Sequence, residues 1–337
     1  MGGDNAPQCV IKGAQIIAAA NPNTHFLLYG DAQKINPILD SCFDLKSRHT
    51  LVHTEEFISA DEKPSTAFRK GTNSSMRLAI NAVKDSEADV AVSAGNTGAL
   101  MAIAKIVLRP LPSIDRPAIV TSIPNQKKTA TVLLDMGANV ECDSEVLFQF
   151  AIMGHAFAKV VLQIEKPSIG ILNIGSEDLK GSDAVRSAAL LLKESDLKDC
   201  FYGYVEGDDI TKGTVDVVVT DGFSGNITLK AIEGTAKLIS SLVKEGFNNS
   251  ILAKIGYLLA GASIRKATKS MDPRLHNGAM LVGLNGVVVK SHGGTDALGF
   301  SNAIKVAISL VENKINERIT EELITTSSVT PKDEEES

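Results

Sequence analysis

The sequence has no tryptophan, and aromatic residues fill only 4% of its 337 positions. A base-stacking surface is therefore unsupported, and a net charge of −6 argues against general polyanion binding. Nucleic acid is not an expected partner. The four cysteines, Cys9, Cys42, Cys142 and Cys200, are scattered without a C-x-x-C pair. They read as free thiols of a reducing compartment. No apolar run approaches the roughly 20 residues that span a bilayer. The opening "MGGDNAPQ" has neither the basic start nor the apolar run of a signal peptide. Ala6 stands where the myristoylation pattern needs Ser or Thr. A cytoplasmic chain is expected, one that touches a membrane only from its surface.

The signatures of several chemistries are missing too. There is no G-x-G-x-x-G for a nicotinamide cofactor and no G-x-x-x-x-G-K-[ST] loop. No G-x-S-x-G elbow occurs, nor H-E-x-x-H, nor a Cys/His cluster for a metal. Neither metal nor cofactor is expected. The six histidines are spread out; His155, inside an apolar helical stretch, reads as structural, whereas His292 in "VVVKSHGGTD" follows a strand and is a site candidate. Cys142 follows "GAN" closely, yet nothing marks its thiol as activated.

What is present is 44% apolar and 22% charged residues, ample for a large core. Near-continuous apolar runs at 26–29, 50–53, 89–93, 117–122, 130–134, 168–172, 215–220 and 280–290 suit strands buried on both faces. Helical patterns lie between them at 8–20, 74–85, 97–108, 143–164, 182–194, 226–246, 250–262 and 296–316. In 143–164, Val146, Phe150, Met153, Phe157 and Val161 recur on one helical face. Such alternation predicts an α/β fold with a mostly parallel sheet. A single catalytic unit over 1–330 is expected, followed by a disordered acidic tail at 331–337.

Open α/β sheets bind ligands at the carboxyl ends of strands. Four such ends carry small polar residues. "SAGNTG" offers Ser93, Gly95, Asn96, Thr97 and Gly98 at a helix start, where free N–H groups suit an anion; a plain helix cap by Asn96 or Thr97 is the simpler alternative. "LLDMGAN" offers Asp135 and Asn139, "NIGSEDLKG" offers Asn173, Glu177 and Lys180, and "TDGFSGN" offers Asp221 and Asn226. Together they are expected to form one polar cleft.

Residues 250–274 differ in kind. Ile251, Leu252, Ile255, Leu258, Leu259 and Ala262 make one apolar stripe, and Lys254, Arg265, Lys266, Lys269 and Arg274 oppose only Asp272. An amphipathic basic helix can lie on an anionic membrane; a helical hairpin at a subunit interface, at about 247–274, fits equally.

"MGGDNAP" (1–7), "KPSTAFR" (63–69), "SAGNTGALMA" (93–102), "RPAI" (116–119), "LLDMGAN" (133–139), "NIGSEDLKG" (173–181), "DVVVTDGFSGNITLKAIEG" (216–234), "GAMLVGLNGVVVKSHG" (278–293) and "SNAIKVAI" (301–308) resemble, in order, the bacterial phosphate acyltransferases. These pass a fatty acyl group from acyl-carrier protein to inorganic phosphate for phospholipid synthesis. The resemblance implies a three-layer α/β/α fold of the phosphotransacetylase and isocitrate-dehydrogenase kind, without the family's first strand. It implies a homodimer without metal, peripheral at the inner face of the cell membrane, with a membrane-bound glycerol-phosphate acyltransferase as partner. An acetyltransferase-like enzyme using acyl-coenzyme A is the enzymatic alternative, and a non-catalytic membrane scaffold the other.

The chemistry expected is direct attack by phosphate, already an anionic nucleophile, on the thioester. The 93–98 turn and Lys180 would hold phosphate, with Asn173 and Glu177 beside them. Asn226 would stabilise the oxyanion. Asp135, Asn139 and Asp221 would orient these groups, and His292 would assist the departing thiolate.

Overall fold

The apolar runs become strands whose order brings distant parts of the chain together. The computed structural model describes residues 1–268, 272 and 274–327. The chain opens with α1 (Gln8–Ala20), β1 (Phe26–Gly30), α2 (Ala32–Leu39), β2 (His49–His53), α3 (Pro64–Lys70), α4 (Ser75–Lys84), β3 (Val90–Ser93) and α5 (Thr97–Leu108). Next come β4 (Ala118–Pro124), β5 (Ala130–Leu134), α6 (Ser144–Val161), β6 (Ile169–Leu172), α7 (Asp183–Glu194), β7 (Phe201–Val205), α8 (Gly207–Lys212) and β8 (Val217–Val219). The long helices α9 (Gly222–Asn248) and α10 (Ile251–Thr268) follow, then β9 (Ala279–Val282), β10 (Val287–Lys290), α11 (Ala297–Glu312) and α12 (Ile315–Ser327).

Eight strands form one sheet in the order β3-β10-β9-β4-β5-β8-β6-β7. Four pairings are parallel (β3·β10, β5·β8, β8·β6, β6·β7), and three at the centre are antiparallel (β10·β9, β9·β4, β4·β5). The apolar run 280–290 is two strands, because Gly283 takes φ +87° and turns the chain into an antiparallel hairpin. This reversal matters for the site. β3 and β10 run one way, and β5, β8, β6 and β7 run the other.

One sheet face packs on α6, α7, α11 and α12, through residues such as Val120, Leu134, Phe150, Met153, Leu192 and Leu310. The opposite face packs on α4 and α5 over β9 and β10, and on α8 and the start of α9 over β4, β5 and β8. These are the three layers. Helix α6 is buried on nearly every side rather than on one stripe, since α7, α11 and α12 cover the side that faces away from the sheet. His155 within it accepts its structural role: Nδ1 lies 2.8 Å from Glu322 of α12, whose other oxygen takes a 2.9 Å bond from Lys159.

Strands β1 and β2 pair in parallel as a separate two-stranded sheet. β1 and β3 each lack a partner on the edge facing the other, and a cavity of about 550 Å³ lies there. Its walls include Leu28, Val92, Phe300 and Ile304. Met1 and Gly2 sit at the carboxyl end of this slot, against Gly30 and Gly95 respectively.

Outside the sheet, α9 and α10 form a hairpin, with Phe247 and Tyr257 in ring contact at 5.1 Å. The apolar stripe of α10 faces outward: Leu252, Leu258 and Leu259 are each more than 80% exposed. Arg274, counted among the basic residues of this segment, is engaged elsewhere, in ion pairs with Asp272 and, at 3.1 Å, with Asp296. The side chains of Arg265 and Lys266, residue Lys269 and the tail 331–337 lie outside the described residues.

Candidate active site

Two of the expected strand ends meet. Thr220 at the end of β8 exchanges backbone hydrogen bonds with Leu134 and Asp135. The Asp135 carboxylate, fully buried, accepts N–H groups from Ile119, Gly137, Ala138 and Asn139 at 2.7–3.2 Å, together with the Asn139 amide at 2.9 Å. The Asn139 amide also donates to Pro117 O at 2.9 Å, and Asn139 O accepts from Gly222 N at 2.7 Å. Five hydrogen bonds occupy the buried Asp135, so it builds the loop. Asp221 caps α9, accepting from Ser224 N at 2.7 Å. Asn226, one turn further on, is exposed and packs beside Gly137, whose φ of +122° leaves the loop backbone close to it. It presents an open side-chain amide.

Cys142 lies against this loop. Burial, with Asp135 and Asp221 nearby, pushes its thiol up to about 12, so at neutral pH it is protonated and a poor nucleophile. Cys142→Ser is expected to retain wild-type turnover, measured as thioester consumption. A folded but inactive variant would reinstate a covalent intermediate.

A second cluster gathers at the other ends of the sheet. Asn96 is the N-cap of α5: its Oδ1 accepts from Ala99 N at 2.9 Å and its Nδ2 donates to Ala60 O at 2.6 Å. Ser93 Oγ accepts from Gly95 N at 3.2 Å, and Gly95 is buried, while Thr97 and Gly98 stand exposed at the helix start. The opening segment crosses here. A Cβ on Gly3 would lie 2.9 Å from Ala94, and Asp4 N donates to Gly293 O at 3.0 Å. His292 is exposed; its Nδ1 accepts from Gly294 N at 3.2 Å, which leaves Nε2 as the proton-bearing nitrogen of the neutral ring.

Sequence reasoning missed two residues of this cluster. Asn277, buried, donates to Ser291 Oγ at 2.7 Å and Gly299 O at 2.8 Å, and accepts from His292 N at 2.9 Å. Lys290, only 8% exposed, closes β10 beside Ser93. A lysine ending a run of valines was the available signal.

The third segment is local. Asn173 Nδ2 donates to Lys180 O at 3.2 Å and its Oδ1 accepts from Ile174 N at 2.9 Å. Glu177 lies against Gly175, and Lys180 is exposed and makes no ion pair among the described residues. No hydrogen bond or ion pair among the described residues joins Lys180 to the 93–98 turn, and opposed strand directions send the two segments to opposite ends of the sheet. By the same directions Lys180 shares its end of the sheet with Asp135 and Asn226, so it makes no direct clamp with the 93–98 turn.

The first two clusters nevertheless share a face. Side chains alternate along a strand, so Ser93 and Lys290 project on the side of Ala91 and Val288. That is the face of Ile119, Leu133 and Val218, on which Leu229 and Ile232 of α9 pack. Met101 of α5 touches both groups. The starts of α5 and α9 therefore flank one side of the sheet.

Layers and topology of this kind define the phosphotransacetylase-like α/β/α class. A phosphotransacetylase from Streptococcus pyogenes superimposes with a TM-score of 0.54 at 17% identity, covering 90% of this chain and 98% of that one. A branched-chain phosphotransacylase from Enterococcus faecalis gives 0.54 at 13%, covering 92% and 97%. The chain belongs to the family described as fatty acid synthesis protein, whose model matches residues 1–318. Proteins named phosphate acyltransferase from Paramagnetospirillum magneticum and Rhodospirillum rubrum are 55% and 52% identical to it, each over 96% of this chain and 92% of their own length.

Proposed function

We propose that this acyltransferase moves a fatty acyl group from acyl-carrier protein to inorganic phosphate, giving an acyl-phosphate for phospholipid synthesis. The observation that carries the reading is the near full-length identity to proteins named phosphate acyltransferase. The geometry is consistent with it. Phosphate would rest at the exposed start of α5, where amides of Thr97 and Gly98 and the helix dipole favour an anion. A phosphate oxygen attacks the thioester carbonyl carbon, a C–O bond forms, and the C–S bond breaks. Asn226 donates to the oxyanion, and His292 Nε2–H hydrogen-bonds the departing thiolate, which takes its proton from water. Lys180, which makes no ion pair among the described residues, would serve the acyl donor from the end of the sheet it shares with Asn226, with Asn173 and Glu177 beside it.

Asn226→Ala is expected to lower kcat by about 10²–10³ with little change in KM, the pattern of an interaction made in the transition state. A change in KM alone would remove it from the oxyanion role. The donor is tested by supplying acyl-acyl-carrier protein and acyl-coenzyme A separately, each with and without phosphate. Preference for coenzyme A would instead favour an acetyltransferase-like enzyme.

A homodimer in the cytoplasm, peripheral at the membrane, completes the reading. Leu238, Ile239, Leu242 and Val243 leave an apolar face on α9 that a second copy would cover. The outward leucines of α10 suit the lipid interface, and no described helix is long and apolar enough to cross a membrane. A membrane-bound glycerol-phosphate acyltransferase would then take the product where it is released.

A further inference from the structure

We infer that Lys290 is the cation that binds inorganic phosphate, at the foot of the 93–98 turn. The inference deepens the reading of acyl transfer to phosphate and rests on it. Lys290 ends β10, in register with Ser93 of the neighbouring parallel strand and with Ala279 on its other side. By alternation its side chain lies on the face flanked by α5 and α9.

Lys290 is buried, yet no carboxylate lies within ion-pair distance of it among the described residues. Its ammonium donates to the carbonyl of Ser291, a single neutral acceptor. An ammonium in such a place, without a counter-ion in contact, is costly. An anion arriving from the α5 side would supply the missing charge. Thr97 and Gly98, exposed at the start of α5 on the same face, would offer that anion backbone amides as further donors. Lys180, exposed at the far end of the sheet, has no such need.

Burial lowers the Lys290 ammonium to about 8, with Asp4 acting the other way. Among the described residues the charged group that acts on it is Asp4 of the opening turn, and the adjoining strands place the uncharged Ser93 and Ala279 beside it. The sign of the pH effect follows. The lysine is charged below about pH 8 and neutral above it. Phosphate affinity should fall as pH rises through that value, while phosphate itself stays anionic.

The test measures inorganic phosphate binding by calorimetry, apart from turnover, in the wild type and in Lys290→Met. The variant removes a buried charge and keeps the chain length, so a melting temperature no lower than wild type is expected. Its phosphate dissociation constant should rise about 10- to 100-fold, as for a lost charge-assisted hydrogen bond, with KM for the acyl donor unchanged. Unchanged phosphate binding, or an effect confined to the acyl donor, would overturn the assignment. If Lys290→Met fails to fold, the wild type alone decides, through its phosphate affinity between about pH 7 and 9.5; a flat profile overturns the assignment. A wild type that binds phosphate in this manner but transfers no acyl group to it would sink the functional reading and leave the site standing.

Discussion

Asp135→Ala should cost about 3–5 kcal/mol of stability, in the range for losing one partner of a buried charged network. The carboxylate is fully buried and organises the turn after β5 by accepting four backbone N–H groups and the Asn139 amide. Without it, those donors lose the acceptor they share in this structure. The damage should spread to function. Asn139 holds Gly222 at the first turn of α9, and Asn226 stands on that helix, so the loop fixes where the amide points. Denaturant unfolding measures the loss directly. Asp135→Asn, which keeps an oxygen acceptor, should fall between wild type and Asp135→Ala. A loss below about 1 kcal/mol for the alanine variant would mean that the loop is held by the strands alone.

The second large effect concerns the outer hairpin. Leu258 and Leu259 are 81% and 82% exposed on α10, and each leucine moved into an apolar phase contributes about 1.5–3 kcal/mol. Replacing both with Glu removes that gain and adds charge that anionic lipid repels. Partition onto anionic vesicles should fall by more than about 100-fold, while acyl transfer in solution survives. Flotation with vesicles of anionic and zwitterionic lipid measures it. Loss of dimer and activity together, in a protein whose wild type never binds vesicles, would assign this face to the subunit contact instead.

How much of this was legible in the sequence depends on where burial comes from. Helices α1 and α5 sit where their periodicity places them, at Gln8–Ala20 and Thr97–Leu108, and the central strands announce themselves as unbroken apolar runs. Short elements did not. Helix α2 contains Pro37, and β7 carries Gly203 at φ +120°, so each interrupts the pattern that would reveal it. The single strand expected at 280–290 conceals a hairpin, which reverses the sheet and sends the 93–98 and 173–181 segments to opposite ends. No local pattern records that reversal, since it follows from the order of pairing.

The site divides along the same line. Asp135, Asn139, Asp221 and Asn226 follow strands directly, and the structure brings them together. The cap role of Asn96 was written in its neighbours. Asn277 was silent and Lys290 signalled only as a lysine ending a run of valines, because a lysine or asparagine next to a strand is ordinarily a solvent residue. Their burial arises from segments that meet only in three dimensions, residues 1–5 and 292–299 among them.

The central claim is that inorganic phosphate, and neither water nor a cysteine of the enzyme, accepts the acyl group. The most direct measurement incubates the full chain with acyl-acyl-carrier protein and labelled inorganic phosphate, and follows free thiol and labelled acyl-phosphate together. The account predicts that the two appear in equal amounts, that both require phosphate, and that no acylated protein accumulates. Thiol released without phosphate, or label absent from the acyl product, would contradict it.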